Sequence, residues 1–131
     1  MIKADYDAEC NAVSIVFQGD VDSAQAKRAY LDLEAILPKV KKGFALLTDF
    51  SSVDALEPEV QGEVKKAMDL LNAHGVAKVL RVLHDPDLDI GFNIMSSSHY
   101  SKQVQTRVFR SREEARSFLR REKGAGVYSD P

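Results

Sequence analysis

One cysteine, Cys10, occurs in 131 residues. No internal disulfide can form, so a disulfide scaffold is excluded, and a lone thiol fits a reducing, cytoplasmic setting. No apolar run approaches the ~20 residues that cross a bilayer, so no transmembrane segment is expected. Met1-Ile2-Lys3-Ala4-Asp5 runs straight into patterned sequence, without a signal-peptide profile. There is no glycine-rich phosphate loop of the Walker or Rossmann kind and no Gly-x-Ser-x-Gly elbow. Three histidines and one cysteine at scattered positions give no zinc spacing. No metal and no cofactor are therefore expected. Linkers, repeats and low-complexity segments are also missing, which leaves one domain over residues 1–123 and a flexible tail over 124–131.

What is present is the balance of a folded protein. Hydrophobic residues make up 44% and charged residues 29%, too apolar for a disordered chain. A domain of this length buries roughly two thirds of its unfolded surface and folds without a metal or disulfide. The formal net charge is −2, but residues 1–100 carry −6 and residues 101–131 carry +4. The near-neutral total argues against a dedicated nucleic-acid binder, while the basic end keeps a local anionic contact open.

Ile2, Ala4 and Tyr6 alternate with Lys3, Asp5 and Asp7, the period of a half-buried strand. Glu9-Cys10-Asn11 reads as a turn, and Val13, Ile15 and Phe17 begin a second strand that Gly19 and Asp20 end. Asp22 stands three residues before Gln25, the spacing of a capping box. Ala26, Tyr30, Leu33, Leu37 and Val40 then recur at helical spacing, with Pro38 and Gly43 stopping that helix near Leu37. Phe44-Ala45-Leu46-Leu47 is a short continuous apolar run, suited to a strand buried on both faces and ending at Asp49. Pro58 suits the first turn of a second helix, which Val60, Val64, Ala67 and Leu71 stripe and Gly75 closes. Val79 to Leu83 is a strand, residues 84–87 a loop, Leu88 to Tyr100 a short helix, and Val104 to Val108 a fifth strand. Ser111 to Glu114 is a second capping box, opening a final helix with Ala115, Phe118 and Leu119 on one face. The expected order is β-β-α-β-α-β-α-β-α. That order implies a mixed, mostly parallel sheet of about five strands covered by helices, with the first strand antiparallel at an edge.

The order resembles the STAS domain, the fold of anti-sigma-factor antagonists and of sulphate-transporter tails. In sequence the likeness lies in Leu46 to Asp54, where Asp49, Ser51 and Asp54 match an Asp-Leu-Ser step followed by a small loop. Antagonists of that family carry Ser-Ser-Gly next, whereas this chain has Ala55, Leu56 and Glu57. The resemblance thus implies a divergent member without the phosphorylatable serine, and a protein partner met at residues 51–66.

Candidate site residues follow from the sheet. Ligands of open α/β sheets meet the loops at the carboxyl ends of parallel strands. Asp20, Asp49, Ser51, Ser52, Asp54 and His84 would stand in those loops and could share a crevice. Asp22 and Asp54 also suit helix caps. Asp85, Asp87 and Asp89 imitate a calcium loop, but Ile90 stands where glycine is required. Ser98 and His99 are helix neighbours about 100° apart, so they do not face each other as nucleophile and base. His74, beside Gly75, suits the negative end of a helix dipole. Arg112, Arg116 and Arg120 form an i, i+4, i+8 cationic stripe, open to a carboxylate or phosphate.

Three functions stay open at this point. The first is a non-catalytic regulatory or interaction module that binds another protein. The second is a binder of a small anionic or lipid-like ligand under residues 85–102, with Phe92, Ile94 and Met95 as lining. The third is an enzyme using Asp49 or His84 as acid or base. Homodimer formation through the first strand is left open as well, with Lys3 a common guard against such pairing.

Overall fold

The structure, a computed structural model, describes residues 1–83 and 104–129. The strands are β1 (Ile2–Asp7), β2 (Ala12–Val21), β3 (Ala45–Leu56), β4 (Lys78–Val82) and β5 (Gln105–Phe109). The helices among the described residues are α1 (Ser23–Ile36), α2 (Val60–His74) and α3 (Arg112–Ser129), with a 3-10 turn at Leu37–Lys39. The strands form one sheet in the order β1-β2-β3-β4-β5. Among the described strands only β1 runs antiparallel, paired with β2 through Ala4 opposite Ile15. The others are parallel, with Leu46 opposite Val79 and Val79 opposite Thr106. This is the mixed, mostly parallel sheet expected from the sequence, with residues 45–49 and 78–82 side by side in one direction.

Local chemistry accounts for the elements. In the β1–β2 turn, the Asp7 carboxylate accepts from the Glu9 and Cys10 amides at 3.0 and 3.3 Å. Asn11 takes a left-handed φ of 51° there, which asparagine tolerates better than most residues. The α1 capping box forms in full: Asp22 accepts from the Gln25 amide at 2.8 Å, and the Gln25 side chain accepts from the Asp22 amide. Gly75 ends α2 at φ 94°, the left-handed cap conformation.

Each sheet face has its own cover. On the first face, α1 and α2 bury Leu33, Met68 and Leu71 against Val13, Phe17, Leu46 and Val79. On the second, Ala115 and Leu119 of α3 pack on Ala45, Leu47, Leu80 and Val82. The alternation within strands therefore sends Thr48 and Arg81 to the first face and Asp49 to the second.

Three boundaries differ from the sequence reading. First, β2 continues past Gly19 to Val21 through register shifts at Val16/Gln18 and Gly19/Asp20. Gly19 adopts φ 67° within that irregularity, the conformation a bulge glycine supplies. Second, residues 49–54 are not a loop: β3 runs on to Leu56, paired with the extended β2. Asp54 consequently lies in a strand and caps no helix, and α2 begins only at Val60. Third, α3 continues through Ser129, past the point where a frayed tail was expected.

Candidate functional site

The β3–β4 pairing ends at Asp49 opposite Val82, yet β3 has seven more residues. Among the described strands those residues pair with β2 alone, through Gln18 opposite Ser52 and Val21 opposite Leu56. Beyond Asp49, β2 and β3 therefore continue as a two-stranded ribbon that leads to α2. Phe50 anchors the root of the ribbon, stacked on Phe17 with ring centres 4.6 Å apart, and the buried Val21 anchors its far end, opposite Leu56.

Asp49 fixes this end of the sheet. It is buried at 3% exposure, and its side chain has three donors. The Ser51 amide reaches Oδ1 at 2.9 Å, the Ser51 hydroxyl reaches the same oxygen at 2.5 Å, and Arg112 Nε reaches Oδ2 at 2.9 Å. Burial pushes the Asp49 carboxyl up, but the hydrogen bonds from Ser51 and the Arg112 guanidinium outweigh it and hold it below the ordinary carboxylate value. The group is thus ionised at neutral pH and acts as an acceptor, which leaves it no proton to donate. Its chemical work is mechanical: it ties the start of α3, sixty-three residues away, to the root of the β2–β3 ribbon.

The predicted site residues divide into two sets. Asp49 and Ser51 are joined by the hydrogen bonds just described. Asp20, Ser52 and Asp54 lie exposed along the ribbon. Glu57, also exposed, accepts from the Ser23 amide at 3.4 Å and links the ribbon to the start of α1. No carboxylate cluster results: among the described residues, no three His, Cys, Asp or Glu side chains are grouped to hold a metal ion. His84, Phe92, Ile94 and Met95 lie outside the described residues, as do the Asp85–Asp89 loop, Ser98 and His99. His74 sits in the last turn of α2, with Nε2 3.4 Å from the Val40 carbonyl.

The arginine stripe is also divided. Arg112 is half-buried on Asp49, while Arg116 and Arg120 are exposed. These last two border a depression shared with Asp7, Glu9 and Cys10, so acidic groups already face them. Sequence periodicity placed all three on one face but gave no sign that the first reaches inward.

One buried charge escaped the sequence reading. Arg81, in the middle of β4, is 2% exposed on the first face. Its neighbours Leu80 and Val82 are equally buried, so no alternation singled it out. The signal available was its type, since arginine is rarely buried without a partner.

No family model matches the sequence, and no curated protein matches it. Solved structures do. An uncharacterized protein from Shewanella loihica PV-4 with a SpoIIAA-like fold superimposes with a TM-score of 0.69 at 12% identity, covering 91% of this chain and 92% of that one. The anti-sigma factor antagonist SpoIIAA in its unphosphorylated form gives 0.65 at 15% identity, covering 92% and 98%. An anti-sigma factor antagonist from Mycobacterium paratuberculosis gives 0.58 at 12% identity, covering 92% and 93%. Strand order, the antiparallel first strand and near-complete coverage in both directions agree: this chain has the SpoIIAA-like, STAS-type fold.

Proposed function

We propose that this chain is a non-catalytic regulatory module that works by docking another protein on the β2–β3 ribbon and the start of α2, residues 51–66. The observation that carries the reading is the overrun of β3: it continues from Asp49 to Leu56 with no β4 partner beside it. A strand end braced by Asp49, Ser51 and Arg112 presents Ser52 and Asp54 to solvent at fixed positions. Glu57 and Glu59 follow, also exposed, so the surface is acidic and suits a basic patch on the partner. Two of the solved structures of this fold are of anti-sigma factor antagonists, which supports a regulatory role by analogy of fold.

The module is not switched by serine phosphorylation at the family's usual place. Ala55, Leu56 and Glu57 offer no hydroxyl there, and Glu57 carries a standing negative charge. Recovery of partner from native extract on immobilised wild-type chain and on Asp54→Lys tests the docking surface. Charge reversal at an acidic contact is expected to reduce recovery at least tenfold. Equal recovery on both would refute the assignment.

A further inference from the structure

The outer edge of β1 is open in a defined phase. Met1 and Gln18 exchange both backbone hydrogen bonds, at 2.8 Å from the Gln18 amide and 2.7 Å back from the Met1 amino group. Bonded and non-bonded pairs alternate along an antiparallel ladder. With Lys3 opposite Val16, Asp5 opposite Ser14 and Asp7 opposite Ala12, those three residues therefore bond inward to β2. Ile2, Ala4 and Tyr6 turn their N–H and C=O groups outward. β1 ends the strand order, so no described strand meets those groups. An edge of this kind is a template for a further strand.

The side chains along the edge are self-complementary. Lys3, Asp5 and Asp7 are exposed on the second face, while Ile2, Ala4 and Tyr6 are half-buried on the first. The Tyr6 hydroxyl donates to Asn11 Oδ1 at 2.8 Å, which holds its ring in place. When two copies pair β1 with β1 antiparallel about a two-fold axis, outward-bonding residues must stand opposite outward-bonding residues. Centring the axis on Ala4 puts Lys3 of each copy opposite Asp5 of the other, and Ile2 opposite Tyr6. Centring it on Lys3 or on Asp5 would set that residue opposite its own copy, like charge on like, which is destabilising. Charge thus selects the Ala4 register. In it, Lys3 and Asp5 fall at the non-bonded positions, where facing side chains are closest. Within one copy, Lys3 Nζ stands 3.8 Å from Asp5 Oδ2 with both side chains 66% exposed. Such a surface pair is worth little and is readily exchanged for a cross-strand one.

We infer that a second copy of this chain docks on the outer edge of β1, two-fold related about Ala4, so that the two sheets become one. Lys3, which alone would guard the edge against pairing, becomes one half of a matched pair. The edge faces away from β2 and β3, so this surface lies beyond the one on which protein docking was placed. Either assignment can therefore fail without the other.

Sedimentation equilibrium of the full chain over a concentration series reads the assembly. The wild-type mass is expected to rise from the 14.5 kDa of one chain toward twice that value. Lys3→Asp and Asp5→Lys each set like charges opposite one another at both contacts, and each should weaken association about tenfold. Both sites are exposed, so both variants should keep the native circular dichroism. An equimolar mixture of the two variants restores opposite charges at both contacts, and should associate about tenfold more tightly than either variant alone. A general loss of folding or solubility would not give that rescue. A wild-type chain that keeps one-chain mass up to millimolar concentration, unchanged association in either single variant, or a mixture no tighter than its components would each overturn the inference.

Discussion

Asp49 couples folding to solution pH. Its carboxyl is depressed by Ser51 and Arg112 despite burial. A depressed folded-state pKa means that the unfolded chain takes up the proton first. The stabilisation is therefore complete above the ordinary carboxylate range and is lost as pH falls through the folded value, below about pH 4. Asp49→Asn keeps the shape but removes the charge. It should cost about 2 kcal/mol at pH 7 in urea unfolding, the scale of hydrogen bonds to a charged group. Its stability should also fall less steeply than wild type between pH 5 and 3. Equal pH slopes in the two proteins would show that Asp49 does not titrate as described.

Among the elements, α1 and α2 owe their limits to single residues. Asp22→Ala removes one side of a complete capping box and should cost about 1 kcal/mol, measured as a shift in the urea midpoint at unchanged slope. Gly75→Ala should cost more than ~1 kcal/mol, because its φ is left-handed and the new Cβ would stand 2.6 Å from Lys42 Cγ. Both features could be read from the sequence, since Asp22–Gln25 spacing and a glycine at a helix end are local signals. The buried parallel strands were legible for the same reason: Phe44 to Leu47 is a continuous apolar run, and Val79 to Leu83 is one broken only by Arg81, a pattern suited to a two-sided core. The overrun of β3 was not. Asp49, Ser51, Ser52 and Asp54 have turn and cap propensities, and only pairing with a bulged β2 holds them extended. Likewise, Arg112 resembles Arg116 and Arg120 in sequence, and the contact that distinguishes it spans sixty-three residues. Non-local partners of this kind leave no mark in a local pattern.

At the scale of the whole molecule, the two sheet faces differ in what they bury. The second face carries the Asp49–Arg112 tie, which locks α3 to the root of the ribbon. The first face holds the buried arginine, Arg81, and the larger apolar core. Exposed changes on α3 away from the tie should leave folding intact. Arg120→Glu is expected to stay within about 0.5 kcal/mol of wild type and to leave partner recovery unchanged. Loss of partner on that change would move the docking surface to the helix.

Site-specific photocrosslinking bears most directly on protein docking at the ribbon. A benzophenone side chain placed at Ser52 on the ribbon, or at Arg120 on the opposite helix, is irradiated in native extract. Docking at the ribbon predicts a discrete higher-mass adduct from position 52 and none from position 120. An adduct from position 120 alone, or none from either, would contradict it.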